Sequence, residues 1–223
     1  MIRILISRKN LTDAHRHSGR FRSPLSVASG QIHHFHLILG GFVLKGVKMT
    51  EEWAAKTKLL ILDVDGVLTD GSIIMNDHGE EIKCFNVRDG HGLRLLMNAG
   101  IHVAIVTGRK SKTVEHRARD LGIREVYQGV KDKESLCKEL IQYKKLDKEQ
   151  VCCMGDDLPD LPMFNQVGIS IAVADASPEL RTEADFVTKN RGGKGAVREV
   201  CELILKAQGK WPDTGPTPLP AEE

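Results

Sequence analysis

Aromatic residues are scarce, at 4% of 223 residues. Such a chain is poorly equipped to stack nucleic-acid bases on exposed rings. Its five cysteines, Cys84, Cys137, Cys152, Cys153 and Cys201, are an odd number with no C-x-x-C and no Cys/His pair at zinc-finger spacing. That argues against a disulfide framework and a structural zinc, and for a reducing, cytoplasmic setting. No apolar run approaches the about 20 residues that span a bilayer; the best, Leu37 to Leu44, is interrupted by Gly40 and Gly41. There is no internal repeat and no insertion long enough to form a second, capping domain. What remains is the composition of a globular protein, 41% hydrophobic and 28% charged, of a length that suits one domain with an appendage.

The charge is unevenly spread. Residues 1–50 hold eight Lys/Arg against one Asp, so of the totals of 32 and 30 the remaining chain carries 24 basic and 29 acidic residues. A mildly acidic body gives no reason to expect a nucleic-acid or membrane partner. Residues 1–48 show no helical or strand period and contain five of the nine histidines. The stretch reads either as a basic, acid-poor targeting peptide or as translation from an upstream start, with Lys45 to Lys48 encodable by a purine-rich ribosome-binding sequence ahead of Met49. The second reading is preferred. It gives a leader at 1–48, a catalytic body at 49–210 and a proline-rich, disordered tail at 211–223.

From Lys58 onward, short β-branched runs alternate with amphipathic stretches, the pattern of βαβ units. Leu59 to Leu62, His102 to Val106, Val151 to Met154 and Ile169 to Val173 read as strands covered on both faces. Helices are expected at about 90–99, 111–121, 132–145, 158–166 and 194–208. The fold class is therefore α/β, a doubly wound parallel sheet. Between Ser72 and Asn86, Ile73 to Met75 and Ile82 to Phe85 flank a turn at Asn76 to Gly79, which predicts a β-hairpin flap.

In such a sheet, ligands bind beyond the carboxyl ends of the strands. There the sequence places Asp63, Asp65 and Asp70, then Thr107-Gly108-Arg109, then Gly155-Asp156-Asp157 with Asp160; Lys131 and Lys133 open a helix facing the same crevice. Converging carboxylates repel one another unless a cation lies among them. A hard divalent ion with oxygen ligands, Mg²⁺, answers that need. A hydroxyl, backbone amides and a lysine beside it suit phosphoryl oxygens, and two aspartates two residues apart can divide nucleophilic attack from proton transfer. The composite points to phosphoryl transfer through an aspartyl-phosphate.

Asp63-x-Asp65-Gly66-Val67-Leu68-Thr69-Asp70, Thr107-Gly108-Arg109, Lys133 and Gly155-Asp156-Asp157-x-x-Asp160 resemble, in order, the four motifs of the haloacid dehalogenase-like superfamily of phosphatases. Asp70-Gly71, residues 85–90, 173–176 and 192–199 are similar to its capless subgroup acting on sugar-acid phosphates. The likeness covers roughly 58–210. It implies a Rossmann-like fold without a cap and Mg²⁺-dependent hydrolysis of 3-deoxy-D-manno-octulosonate 8-phosphate in lipopolysaccharide precursor synthesis. It implies Asp63 as nucleophile and Asp65 as general acid/base. The metal would be held by the Asp63 carboxylate, the Asp65 carbonyl and Asp156, with Asp157 or Asp160 in support. Thr107 and Gly108 would bind the phosphoryl group and Lys133 neutralise it, with Lys131 as the alternative. Arg88, Arg109 and Arg198 become candidates for the sugar acid, since a guanidinium pairs bidentately with a carboxylate. Subgroup members form homotetramers in which neighbouring hairpins close the sites.

Other readings stay open at this point. The substrate could be a nine-carbon ketoacid sugar 9-phosphate. A receiver domain also joins aspartates, a threonine and a lysine on a doubly wound sheet, but its acidic pair comes first and its phosphorylated aspartate later, the reverse of the order here. A catalytically silent oligomerisation domain is the third possibility, against which every expected catalytic residue is present. Taken singly, Thr107 could be an N-cap, Lys133 a solvated lysine, and Arg109 and Arg198 surface ion-pair partners. Cys152 and Cys153, inside a buried strand, read as inert core thiols, and His91 and His116 as surface residues.

Overall fold

Four consecutive aliphatic side chains with no polar break can be buried only where both faces of a strand are covered, and Leu59–Leu62 is fully buried at every position. The computed structural model describes residues 52–212 and, separately from that body, an antiparallel ladder pairing Ile38–Leu39 with Phe42–Val43. The other residues of 1–51 and residues 213–223 lie outside the described residues.

The body is built on a six-stranded, all-parallel sheet. Its strands are β1 (Leu59–Leu62), β2 (His102–Thr107), β3 (Glu125–Gln128), β4 (Val151–Gly155), β5 (Ile169–Ala172) and β6 (Phe186–Val187), in the spatial order β6-β5-β4-β1-β2-β3. The chain thus runs outward from β1 through β2 to β3, then returns to the other side of β1 for β4 to β6. The strand order reverses beside β1, and Leu62 aligns with both Ile105 of β2 and Met154 of β4. This reversal opens the crevice in which α/β sheets bind ligands.

Among the described residues seven α-helices accompany the strands: α1 (Glu52–Lys56), α2 (Val87–Asn98), α3 (Lys112–Leu121), α4 (Lys133–Tyr143), α5 (Leu161–Phe164), α6 (Pro178–Glu183) and α7 (Ala196–Ala207). Each expected strand and helix is present, within a few residues at its ends. The predicted 158–166 helix divides into a 3₁₀ turn at Leu158–Asp160 and the short α5. The edge strands β3 and β6 and the short helices α1 and α6 were not foreseen.

The predicted hairpin is shorter than its apolar text. Ile74–Met75 pairs with Glu81–Ile82, and Asn76 closes the turn by accepting hydrogen bonds from the amides of His78 and Glu80 at 3.0 and 2.9 Å. Among the described residues it is the only structured element between β1 and α2. The body also extends past residue 210, the boundary expected for the tail: Trp211 packs partly buried against the core, with the Arg198 guanidinium 4.7 Å from its ring centroid. No described helix is long and apolar enough to cross a membrane.

Candidate active site

The residues that follow β1 turn back at once. The amides of Val67, Leu68 and Thr69 all donate to the Val64 carbonyl at 3.2, 2.9 and 3.0 Å, and the Thr69 hydroxyl accepts from the Gly71 amide at 3.2 Å. Two glycines allow neighbouring groups to press onto this loop. Gly66 has φ +87°, and a Cβ there would lie 2.0 Å from an Asp156 carboxylate oxygen. A Cβ on Gly192 would lie 1.6 Å from the Gly66 carbonyl oxygen, an overlap no side chain could relieve. Both positions therefore need glycine for proximity, Gly66 also for its left-handed backbone.

At the head of the loop, Asp63 is 6% exposed. One of its oxygens accepts from the Lys133 ammonium at 2.7 Å, and Lys133 donates equally, at 2.7 Å, to Asp160, which is 2% exposed. Asp160 also accepts from the Asp156 amide at 2.9 Å. Lys133 reaches the site because Asp132 caps α4, accepting from the Ser135 amide at 3.0 Å, and so aims the first helical residue inward. Lys131 is exposed and takes no part. The carboxylates of Asp63, Asp156 and Asp160 each offer an oxygen within 4.8 Å of the others. Asp157 is exposed, so of the two candidates for the supporting acid it is Asp160 that joins the cluster.

Three carboxylates and one ammonium leave two negative charges without an internal partner, and the ionisation equilibria reflect it. Burial, and then the neighbouring charges of Asp160 and Asp63, push the Asp156 carboxyl up from 3.8 to about 8. Asp63 is raised for the same reasons, burial first and Asp160 second, against the lowering pull of Lys133. Burial alone would lower the Lys133 ammonium, but Asp63 and Asp160 together raise it. All-oxygen donors with a double negative excess fit a hard divalent cation, and Mg²⁺ suits them better than a metal preferring nitrogen or sulfur.

The Asp65 carboxylate stands outside this cluster. It is ion-paired with Lys83, while Arg109 Nε approaches its other oxygen at 3.6 Å. Thr107, buried at the end of β2, accepts from the Arg109 amide at 3.4 Å, and Gly108 beside it is exposed. Arg109 also donates to Glu81 at 2.9 Å. Arg88 and Arg198 lie elsewhere, on the wall of a groove of about 1200 Å³ shared with Phe85, Lys189, Lys194 and Lys206. Arg198 is held there by Glu202 at 2.8 Å as well as by Trp211. Sequence reasoning brought out Asp63, Asp65, Thr107, Gly108, Arg109, Lys133 and Asp156 but not Lys83. The sequence pointed the other way: alternation of apolar Ile82 and Cys84 about Lys83 suggests an outward lysine, whereas Ile82 and Cys84 are exposed and Lys83 is the buried residue of the three.

Comparison with known proteins agrees with this geometry. Residues 122–200 match the model of the haloacid dehalogenase-like hydrolases. The chain is 55% identical over 157 residues to the 3-deoxy-D-manno-octulosonate 8-phosphate phosphatase of Yersinia pestis, covering 70% of this chain and 84% of that protein. The crystal structure of the Yersinia pestis enzyme superposes with a TM-score of 0.71 at 53% identity, over 72% of this chain and 87% of that one. The Moraxella catarrhalis enzyme, solved in complex with magnesium, phosphate and a KDO molecule, gives a TM-score of 0.70 at 44% identity, covering 72% and 92%. A hydrolase family of this kind displaces the receiver reading. The chain belongs to the 3-deoxy-D-manno-octulosonate 8-phosphate phosphatase family of haloacid dehalogenase-like hydrolases.

Proposed function

We propose that the chain is a Mg²⁺-dependent phosphomonoesterase that hydrolyses 3-deoxy-D-manno-octulosonate 8-phosphate to the free sugar acid and phosphate, a step in lipopolysaccharide precursor synthesis. The observation that carries this reading is the separation of two kinds of aspartate. Asp63 is buried with Lys133, Asp156 and Asp160, whereas Asp65, two residues on, is turned to Lys83 and Arg109. A nucleophile and an acid/base need such different surroundings.

The Asp63 carboxylate attacks phosphorus, and Asp65 delivers a proton to the leaving sugar oxygen. In the second half, Asp65 takes a proton from the water that cleaves the aspartyl-phosphate. The Thr107 hydroxyl and Gly108 amide hold the phosphoryl oxygens, and Lys133 balances their charge. The Asp63 and Asp156 carboxylates and the Asp65 carbonyl would hold Mg²⁺, with Asp160 orienting Asp156 through its amide. When bound, the ion neutralises the excess charge and lets an anionic substrate approach. Arg109 is the guanidinium best placed for the sugar acid; Arg88 and Arg198 would meet an anion only in the neighbouring groove.

We further place this enzyme in the cytoplasm, with residues 49–212 as its catalytic body, and infer a homotetramer without a cap domain. Support for assembly comes from Ile73, Ile74, Met75, Ile82 and Val87, all exposed on and beside the hairpin, where a lone two-stranded ribbon would gain little by itself.

The test is phosphate release from a panel of sugar phosphates with and without Mg²⁺. Preference for the eight-carbon acid 8-phosphate supports the proposal. A nine-carbon 9-phosphate turned over faster, or no release from either, would overturn it.

A further inference from the structure

Lys83 is an unusual lysine. It sits on a hairpin whose large apolar side chains face outward, yet its own side chain is only 1% exposed. An ammonium taken so far from water requires partners. It has two: the Asp65 carboxylate, and Glu81 at 3.1 Å. Glu81 is also bonded to Arg109 at 2.9 Å, and Arg109 Nε lies 3.6 Å from Asp65. The Glu81 carbonyl accepts from the Thr113 hydroxyl at 3.3 Å, tying the hairpin to the first turn of α3. Two acids and two bases thus form a closed ring, three of whose members come from the hairpin or the loop it follows.

The two oxygens of Asp65 are not held alike. Oδ1 takes the Lys83 ammonium directly, whereas Oδ2 has only the longer approach of Arg109. A carboxyl held through one oxygen is restrained in rotation, which leaves the other oxygen facing the site. We propose that Lys83 is a positioning residue for the acid/base of its own chain: by clamping Asp65 Oδ1 it presents Oδ2 to the leaving oxygen and later to water. Glu81 is the brace that keeps Lys83 in place when Arg109 turns to the substrate. The hairpin is therefore a working part of the site it covers within one subunit, whatever it does for a neighbour. The inference rests on Asp65 being the acid/base.

The test uses the full chain with Mg²⁺ and two substrates that differ in their need for a proton. The alkoxide of a sugar must be protonated as it leaves, whereas p-nitrophenolate leaves unaided; the water attack that follows needs Asp65 in both cases. Lys83→Met is expected to lower kcat on the sugar-acid phosphate about 10- to 100-fold with little change in KM, a fraction of the ~10²–10⁴ that acid–base catalysis supplies. With p-nitrophenyl phosphate it is expected to give a rapid burst of one p-nitrophenolate per site followed by slow turnover. Asp65→Asn, run beside it, is expected to give the same burst. A burst from Asp65→Asn but none from Lys83→Met overturns the positioning role alone, as does wild-type turnover by Lys83→Met. Absence of a burst from Asp65→Asn overturns the acid/base reading as well. Should Lys83→Met fail to fold in a thermal melt, Lys83→Arg carries the test. It keeps the charge but reseats it, so a reduced kcat with an intact burst supports the proposal and wild-type turnover overturns it.

Discussion

Replacing Lys133 by Met keeps most of the side chain's volume and deletes the one ammonium in the acidic cluster, together with its 2.7 Å bonds to Asp63 and Asp160. Two consequences follow, and they differ in size. Loss of one preorganised donor facing charge that develops in the transition state costs ~3–4 kcal/mol, or ~10²–10³ in kcat. Loss of a buried cation from two carboxylates would cost ~3–5 kcal/mol of stability if both stayed charged. They need not stay charged. Asp63, already raised by burial and by Asp160 and held down in part by Lys133, takes up a proton more readily once that lysine is gone, and bound Mg²⁺ compensates further, so the loss of stability falls below ~3 kcal/mol. Lys131→Met, on the exposed residue two positions earlier, is the matched control and should be silent. Phosphate release at saturating Mg²⁺, with thermal unfolding of both variants, makes the comparison. A Lys133→Met enzyme within about tenfold of wild type, where ~10²–10³ is expected, or an equal loss in Lys131→Met, would refute the reasoning.

Asp63→Asn is nearly isosteric and cannot attack phosphorus, so turnover should vanish while the circular dichroism spectrum is kept; appreciable phosphate release by the purified variant would remove Asp63 as nucleophile. Activity should disappear on chelation and return with Mg²⁺, and the ion should stabilise the fold increasingly with pH. The sign follows from Asp156: an acid raised from 3.8 to about 8 in the folded chain binds more protons folded than unfolded, so metal-free stability falls as pH rises through that window. The ion must displace that proton, which becomes easier toward pH 8, and a melting-point gain that is flat or larger at pH 6 would contradict this. Ile74 and Ile82 are cross-strand partners, 43% and 51% exposed, so Ile74→Asp with Ile82→Asp should leave a monomer folded but break a tetramer and its activity together. Light scattering that finds a monomeric wild type, or a dissociated and fully active mutant, would show the site to be complete in one chain.

How much of this was legible in the sequence depends on how each residue is covered. β1, β2, β4 and β5 announce themselves because strands buried on both faces read as near-continuous apolar runs, with only small polar residues such as Ser170 admitted among them. The edge strand β3, Glu125–Gln128, is half-buried throughout and mixes charge, valine and tyrosine, while β6 is two residues long; neither leaves a run to detect. Helix α6 was detectable, since Ser177 caps it and Pro178 follows at its first position. Within the site, spacing located Asp63, Lys133 and Asp156, because a residue at the end of a strand or the start of a helix has a determined direction. It could not choose between Asp157 and Asp160, which are separated by a single 3₁₀ turn whose register decides which carboxylate faces inward. Cys152 and Cys153, read as core thiols, are fully buried in β4, and burial pushes the Cys152 thiol up to about 12.

The segments around Arg88 and Arg198, similar to sugar-acid phosphatases in sequence, also pack behind the site. Asn86 caps α2 with one side-chain atom, accepting from the Arg88 amide at 2.8 Å, and with the other donates to the Gly193 carbonyl at 3.3 Å. Asp89, one turn into α2 and buried, accepts from the amides of Gly195 at 3.3 Å and Arg198 at 2.7 Å, so it caps α7 across the gap between two helices. Burial raises its carboxyl while those amides resist the shift, as expected of an anion at a helix N-terminus. The Gly193 amide in turn donates to the Val67 carbonyl at 2.9 Å, and Gly192 lies against Gly66. The start of α2 thus holds the 191–195 loop, and that loop backs the turn carrying Asp63 and Asp65. A side chain added at Gly192 would be felt at the nucleophile without touching substrate, and the same rigidity fixes where Arg88 and Arg198 can reach.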